Sequence, residues 1–297
     1  MSLTGLRYRA AVHQVVPAWR RWWPLARHEF GTMFRSKWGV ALFCACLLPL
    51  VVRTFVLMIR FGVVNFGASP RRNLLTQSQA FAQWDPLRAD FYVEMVMATW
   101  PGLLVLVFVT SFVSAGAVAR DRATNALELY WTRGISPWGY LLAKWVGSLL
   151  LLSLLTCVGP LVLWGFACLM AEDWSLCAET ALFVVPMLSG LLLATAAWTA
   201  ICVLLSALSQ APNQAIVGWC MLVVGSTAVG AVLSRVFHDP SIRTWLSIWD
   251  AGGVVARYMA GVTARGPIES AALFFGGVLL VLLLLVRRRL ALSEAIG

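Results

Sequence analysis

Charge is scarce in this 297-residue sequence, in which only 12% of the residues are Asp, Glu, Lys or Arg. Soluble globular domains are about one quarter charged, so this scarcity excludes an ordinary soluble domain. Hydrophobic residues make up 60% of the chain, and its mean hydropathy is +0.81. Apolar runs of about 20 residues cross the hydrocarbon core of a bilayer as helices. The composition therefore predicts an integral membrane protein.

Several signatures of catalysis are also missing. The sequence has no GxxxxGK[ST] loop, so we do not expect it to cradle ATP phosphates in that way. HExxH, paired-histidine and CxxC patterns are absent, and the three histidines, His13, His28 and His238, are scattered. We predict no metal, no cofactor and no catalytic residues in this chain. None of its apolar runs carries the ladder of carboxylates that a proton-coupled carrier needs, so energy for transport would come from another chain.

The seven cysteines predict no disulfide framework. Only Cys177 falls clearly in a polar loop, whereas Cys44 and Cys46 lie roughly 200° apart around one helix and cannot share a metal. We interpret all seven cysteines as small apolar packing residues.

The apolar runs predict an all-α protein with six transmembrane helices, called spans 1 to 6 here. Their predicted boundaries are about 38–59, 91–119, 138–170, 180–205, 216–236 and 270–286. Residues 1–37 are expected to form a cytoplasmic N-terminus with an interfacial helix, with Leu25, Ala26 and Phe30 on one face and Arg27 and His28 on the other. Residues 38–289 would form a single transmembrane domain, and residues 290–297 a cytoplasmic tail.

Positive charge is unevenly divided between the two sides of this topology. With the N-terminus inside, 14 of the 23 lysines and arginines lie inside and eight outside, and Arg53 lies within span 1. Because cytoplasmic loops are enriched in these residues, we predict that both termini are cytoplasmic. The net charge of +10 then reflects topology, and no nucleic-acid partner is expected.

Residues 119–144 form the longest charged interruption between two apolar runs. A helix over residues 120–132 would place four polar residues on one stripe: Asp121, Asn125, Glu128 and Thr132. It would place three apolar residues on the opposite face: Ala123, Leu127 and Tyr130. A short amphipathic helix between two spans is suited to contact a partner in the aqueous phase.

The same stretch contains five groups of residues in a recognisable order: Asp121-Arg122, Leu127-Glu128-Leu129, Ile135-Ser136, Tyr140-Leu141-Leu142 and Lys144. In this order and spacing they resemble the inner loop of ABC type-2 transporter permeases, which reads approximately E-R-E-x-G-T-L-E-x-L-x-x-x-P-I-S-x-x-x-Y-L-L-G-K. The sequence departs at Asn125-Ala126, where the family usually has Gly-Thr, and at Gly134, where it usually has Pro. The interfacial helix, the six spans and the long outer segment before span 6 extend the resemblance over nearly the whole chain.

The resemblance implies the membrane subunit of an ATP-driven exporter in the inner (plasma) membrane. Its partners would be two copies of a cytoplasmic ABC ATPase subunit, which hold the ATP and magnesium, a second permease copy, and membrane lipid. The helix at 120–132 would be the coupling helix seated in the ATPase, through Asp121, Arg122, Asn125, Leu127, Glu128 and Thr132.

Spans 2 and 5 would line the substrate route between the two permeases. Small residues in span 5 allow close helix approach, and they form a possible permease interface: Gly218, Gly225, Ser226 and Gly230. Ordinary packing inside one bundle explains the same glycines at least as well.

Two charged residues and one outer segment carry further expectations. Arg53, in span 1, and Lys144, about two turns into span 3, are expected to extend their charged ends towards the headgroups. The segment 237–267, with Trp245 and Trp249, is expected to form amphipathic helices that dip into the outer interface.

Other functions remain open at this point. A related permease role is to support assembly of a cell-surface machine or a metalloenzyme. A different class is a non-transporting membrane scaffold or sensor whose inner helix docks a cytoplasmic regulator. An exporter should stimulate ATP turnover in its partner, whereas a scaffold needs no polar transport route.

The absence of a phosphate-binding loop gives a first testable prediction. The purified chain alone should show no nucleotide-dependent shift in its thermal unfolding, because it lacks a backbone cradle for ATP phosphates. A saturable, magnesium-dependent shift on adding ATP would contradict this expectation.

Overall fold

A computed structural model describes residues 22–61, 85–97, 107–132, 135–171, 174–239, 241–262 and 267–296. Every regular element in these ranges is helical, which confirms the predicted all-α class. Helices suit a bilayer because they satisfy their own backbone hydrogen bonds in the absence of water.

Five helices within the described ranges are long and apolar enough to cross a membrane, and the chain is a multi-pass membrane protein. They are Lys37–Arg60 (span 1), Pro137–Met170 (span 3), Leu176–Leu208 (span 4), Pro212–Val236 (span 5) and Ile268–Arg288 (span 6). Span 2 is described only at its ends, as Ala89–Met97 and residues 107–123, because 98–106 lie outside the described residues. Most of the predicted outer segment 60–90 also lies outside them. The last helix does not stop at residue 286 as predicted, but runs from Ile268 to Ile296.

Local sequence signals set several helix boundaries. The helix of span 3 begins at Pro137, and the preceding Ser136 hydroxyl accepts a hydrogen bond from the Gly139 amide at 3.1 Å. Serine before proline is a favourable helix start, because proline lacks only an N–H that would be unpaired there. Span 1 is interrupted at Leu47, two residues before Pro49, and consists of helices Lys37–Cys46 and Leu48–Arg60. Proline removes a backbone donor and so favours such an interruption.

Span 4 is the centre of the bundle. It packs against spans 3, 5 and 6 and against the outer helix Ile248–Met259. Of the 18 residues that form its most apolar stretch, 61% are buried, compared with 17% of the corresponding stretch in span 1 and in span 5. Spans 1 and 5 therefore expose most of their apolar surface to lipid or to another protein.

The outer helix Ile248–Met259 is a buried element, so the expected position in the outer interface is wrong for this helix. The Trp249 ring stacks on Trp198 of span 4 with centroids 4.5 Å apart. The Trp198 indole N–H donates to the Ile248 carbonyl oxygen, and that of Trp249 to the Met97 carbonyl oxygen. A Cβ at Gly252 would lie 2.4 Å from the Trp198 ring, so only glycine permits this approach.

Arg53 is not extended towards the headgroups as expected. Its side chain is buried, its guanidinium donates to the Phe91 carbonyl oxygen, and its charge lies 4.9 Å from the Phe91 ring centroid. A carbonyl and an aromatic face inside the protein thus take the place of lipid headgroups. Arg53 joins span 1 to the start of span 2.

In the described parts of the spans, three contain a π-helical turn: Ser111–Ala115 in span 2, Leu154–Val158 in span 3 and Met221–Gly225 in span 5. Hydroxyl groups beside these turns bond neighbouring spans. The Trp219 indole N–H donates to the Thr110 hydroxyl at 2.7 Å, and the hydroxyls of Thr156 and Thr195 lie 2.8 Å apart. Because π turns shift side chains out of helical register, they often occur at functional sites.

The topology can be tested with two single cysteines in a background that lacks the native ones. Trp174, which is 74% exposed between spans 3 and 4, is expected on the outer side, and the exposed Asn125 on the inner side. A membrane-impermeant maleimide added to intact cells should label Trp174→Cys but not Asn125→Cys. Both variants should react after the membrane is opened. Labelling of Asn125→Cys in intact cells would reverse the topology.

Candidate coupling site at the inner end of the bundle

The predicted helix at 120–132 is broken in two. The structure has Ala117–Ala123, which continues span 2, and a separate helix, Ala126–Thr132, called the inner helix here. Asn125 between them has a positive φ of 55°. Asparagine adopts this left-handed conformation more readily than other non-glycine residues. The departure from the family's usual glycine at this position therefore keeps the conformational property that the turn requires.

Four polar side chains meet just above the inner helix, and we call them the charge cluster: Glu29, Asp121, Tyr140 and Lys144. The Lys144 amino group lies 2.7 Å from a carboxylate oxygen of Glu29 and 2.9 Å from one of Asp121. The Tyr140 hydroxyl donates to the same Asp121 oxygen at 2.8 Å. Three elements, the N-terminal helix Trp23–Thr32, the end of span 2 and the start of span 3, are thereby joined at one point.

The charge cluster is shielded from water. The side chains of Lys144 and Glu29 are only 4% and 5% exposed, and that of Asp121 is 18% exposed. The expectation that Lys144 reaches the headgroups is therefore wrong. An ammonium group removed from water needs anionic partners with good geometry, and two carboxylates supply them.

Close packing of the N-terminal helix brings Glu29 to Lys144. A Cβ at Gly147, in span 3, would lie 2.7 Å from both the Ala26 carbonyl oxygen and the Glu29 Cβ. Leu25 and Ala26 are buried while Arg27 and His28 are exposed, which confirms the predicted faces of this helix. Glu29 occupies the inward face, where its charge is satisfied by Lys144.

Span 4 holds the same segment from the other side. The Arg122 guanidinium donates to the carbonyl oxygens of Ala207 at 2.8 Å and Ser209 at 2.6 Å. These carbonyls lie at the C-terminal end of the span 4 helix, where a cation is favoured by the helix dipole. The Ser206 hydroxyl also accepts from the amides of Val118 and Ala119, each at 3.1 Å.

The predicted polar stripe is not one surface. Asn125 and Thr132 are exposed, whereas Asp121 faces Lys144 and Arg122 faces the end of span 4. Glu128 lies in the inner helix, but its side chain is outside the described residues. Ala123, predicted on the apolar face, is exposed, because the break at Asn125 turns the two short helices relative to each other.

The inner helix exposes two large apolar side chains instead, Leu129 at 53% and Trp131 at 43%. Leu127 and Tyr130 face the bundle as predicted and pack against an inner apolar cluster that includes Tyr140 and Leu141. The rings of Tyr130 and Tyr140 have centroids 5.5 Å apart. The inner helix is thus anchored through Leu127 and Tyr130. Trp131 flanks this anchored face, and Leu129 projects from the opposite face.

A cavity of about 380 Å³ lies between the inner helix and the inner ends of spans 3, 4 and 6. Its walls are mostly apolar, with Arg122 and Gln210 as polar groups, and include Leu127, Trp131, Tyr140, Leu141 and Val286. This cavity leaves room for a small displacement of the inner helix towards the spans.

The residues of the possible permease interface do not share one environment. Gly230 is buried against Arg243 and Ser247, and the Ser226 hydroxyl accepts from the Ile248 amide at 3.4 Å. A Cβ at Gly218 would be 3.5 Å from Leu205, whereas nothing lies within 4 Å of one at Gly225. Packing inside one chain accounts for the first three positions, and Gly225 alone has open space beside it.

No group of three or more His, Cys, Asp or Glu side chains in the described part of the chain is arranged to hold a metal ion. In the charge cluster the position between the two carboxylates is taken by the Lys144 amino group. The arrangement suits a mechanical connection between helices.

Glu29 and Tyr140 were not assigned to the site from sequence. A signal existed for Glu29, because it lies four residues after Leu25 on the inward face of an amphipathic helix. An acidic residue on one apolar face and a lysine within an apolar span are together the pattern of a buried pair. Nothing in the sequence indicates which of the acidic residues is the partner, since Glu29 and Lys144 are 115 residues apart.

The fold and this site define a class: an all-α, multi-pass membrane protein with a short inner helix clamped beneath its spans. The family model described as ABC-2 family transporter protein matches residues 23–287, and the chain belongs to that family. The resemblance found in the inner loop is thereby confirmed, and the chain is a membrane subunit of an ABC transporter. No curated protein sequence matches the chain.

The charge cluster makes a prediction about stability. Replacing Lys144 with Met would leave the carboxylates of Glu29 and Asp121 buried together without a cation. Removing one partner of a buried pair costs about 3–5 kcal/mol. We expect a loss of that size in the free energy of unfolding, measured by chemical denaturation in detergent.

A second substitution controls for general damage to packing. Adding Glu29→Gln to Lys144→Met removes one of the two stranded charges, so the double variant should be more stable than Lys144→Met alone. Independent sites would give additive losses. Additive losses in this pair would contradict a shared cluster.

Proposed function

We propose that this chain is the permease subunit of an ABC exporter, in which separate cytoplasmic ATPase subunits supply the energy. The complex would contain two permeases and two ATPases in the inner membrane, with both termini of the permease in the cytoplasm. The observation that carries the proposal is the inner helix Ala126–Thr132, which is anchored on one face and exposes the apolar Leu129 on the other.

The exposed face of the inner helix is suited to a protein partner. Leu129 and Trp131 are large apolar side chains on a helix next to the charged inner ends of the spans. Exposed apolar surface framed by polar groups marks interaction sites in proteins, and tryptophan is enriched among residues that dominate binding energy. An ATPase cleft would cover Leu129, and Trp131 would lie at the edge of this contact, beside the cavity.

The bonds around the inner helix favour transmission of force to the spans. The preceding segment is bonded to span 3 and the N-terminal helix through Asp121, and to span 4 through Arg122. Closure of an ATPase pair on the inner helix would therefore pull on spans 2, 3 and 4 together. A connector that merely joined two spans would need neither set of bonds.

The thinly packed spans support a role for a second permease. Span 5 carries an exposed apolar row that includes Val217, Met221, Val224, Val232 and Val236. Gly225 lies on the same span and has open space beside it. In the proposed dimer this surface of span 5, with span 2, borders the route of the substrate. Lipid covers whatever part of it the partner does not.

Leu129 gives the most direct test of ATPase docking. Leu129→Glu places a charge in the centre of the proposed apolar contact, where desolvation penalises it, and should reduce co-purification of the ATPase at least tenfold, or about 1.4 kcal/mol. Leu129→Met is the matched control, because it nearly conserves volume and apolarity. Both variants should reach the membrane in equal amounts. Full assembly of the Leu129→Glu complex, with normal coupled ATP turnover, would contradict the docking role.

Glu128, on the same helix, tests the polar part of the contact. Reversing its charge with Glu128→Arg should weaken ATPase co-purification or uncouple ATP turnover from transport. Truncating a desolvated charge pair costs about 2–5 kcal/mol, whereas an exposed pair contributes about 1 kcal/mol or less. A solvated linker predicts no effect. Reconstitution with the ATPase also separates an exporter from a scaffold, which would leave ATP turnover unchanged.

A further inference from the structure

Spans 3 and 4 form a helical hairpin with a short connection. The helix that ends span 3 is Gly159–Met170, and the next helix begins at Ser175, so only four residues separate them. In the expected topology this connection lies on the extracytoplasmic side. Its redox environment is then that of secreted proteins, in which disulfides form and persist.

Contacts along the hairpin establish which residues face each other. The Trp164 indole N–H donates to the Thr180 hydroxyl at 2.8 Å, and the Cys157 thiol lies 4.0 Å from the Leu188 carbonyl oxygen. Facing residues are therefore nearly equidistant from the connection. Cys168 and Cys177 lie one helical turn closer to the connection than Trp164 and Thr180, and they are likewise nearly equidistant from it.

The two cysteines are neighbours across the hairpin. The register of the facing residues places Cys168 beside Cys177, both are free thiols in the structure, and Thr180 is a second neighbour of Cys168. Cys168 is buried, Cys177 is partly buried, and both belong to or pack against the main apolar core. Thiols that face each other on two packed helices need little movement to reach the separation of a disulfide.

We propose that Cys168 and Cys177 are a redox modification site, oxidised in the mature protein to a disulfide that joins the outer ends of spans 3 and 4. The oxidant is an acceptor disulfide of the extracytoplasmic compartment, carried by a thiol oxidoreductase. Exchange forms the Cys168–Cys177 bond and breaks the acceptor disulfide. The two thiols lose two electrons and two protons, and the acceptor gains them as two thiols.

Another pair of cysteines provides a matched control. Cys202 and Cys220 are also neighbours, on spans 4 and 5. Cys202 is fully buried, and the Cys220 thiol lies 3.3 Å from the Ser111 hydroxyl. Cys220→Ser keeps a polar group for that contact and should leave the redox behaviour of the protein unchanged.

The first measurement counts free thiols. Membranes are quenched with acid, and the protein is then denatured in the presence of a maleimide polymer that labels every free thiol. Five of the seven cysteines should react before reduction and all seven after it. The peptide pair containing Cys168 and Cys177 should be lighter by two hydrogen atoms before reduction. In the Cys168→Ser variant the Cys177 thiol should react before reduction. In the Cys220→Ser variant Cys168 and Cys177 should still be protected from the maleimide.

The second measurement separates a bond from ordinary packing. Cys168→Ser, Cys177→Ser and the double variant should lower the apparent melting temperature equally, because loss of either sulfur removes the whole bond. Dithiothreitol should lower that of the wild type and leave the variants unchanged. The proposal would be overturned if the decreases in melting temperature of the two single variants were additive and dithiothreitol did not change the melting temperature of the wild type.

Two other results would overturn it. One is seven reactive thiols in quenched membranes, including the case in which the pair cross-links only when an oxidant is added. The other is a Trp174→Cys probe that labels only from the cytoplasmic side, because the connection would then lie in a reducing compartment. Neither result bears on docking of the ATPase at the inner helix.

Discussion

The Lys144 ammonium is the group on which the arrangement at the inner end of the bundle depends. A cation excluded from water must be met by anions, and the only ones in contact with it come from two distant parts of the described chain, Glu29 and Asp121. Satisfying Lys144 therefore fixes the N-terminal helix against span 3 and draws the end of span 2 to the same point. Gly147 supports this by allowing the backbone of the N-terminal helix to approach span 3 closely.

A second constraint follows from the first. With Asp121 held by Lys144, Arg122 points to the end of span 4, where carbonyl groups without helical partners accept its N–H groups. The adjacent residues Asp121 and Arg122 thus bind the end of span 2 to spans 3 and 4 at the same time. The turn at Asn125 then releases the inner helix in a new direction, and Leu129 and Trp131 become exposed. The apolar surface that we assign to the ATPase is a consequence of how the charges above it are satisfied.

Sequence reasoning succeeded where the signal was local and failed where it was distant. Apolar runs predicted the spans because lipid demands about 20 apolar residues in succession, wherever the partners lie. Leu127 and Tyr130 were placed correctly by helical period alone. Lys144 and Arg53 were predicted to extend to the headgroups because nothing nearby in sequence reveals Glu29 or the Phe91 carbonyl. The outer helix Ile248–Met259 was misjudged for the same reason, since its burial depends on Trp198, about 50 residues earlier.

Unequal packing of the spans indicates which parts can move against each other. Span 4 is bound on most sides, by span 3, span 6 and the outer helix, and displacing it would break indole hydrogen bonds and a stacked tryptophan pair. Spans 1 and 5 bury little surface in this chain, and lipid replaces their apolar contacts at small cost because hydrocarbon is as apolar as leucine. The inner helix is connected through Asp121 and Arg122 to spans 3 and 4, the well-packed part. A force applied there would move that part as one body, and the change in shape would fall on its boundaries with spans 1 and 5.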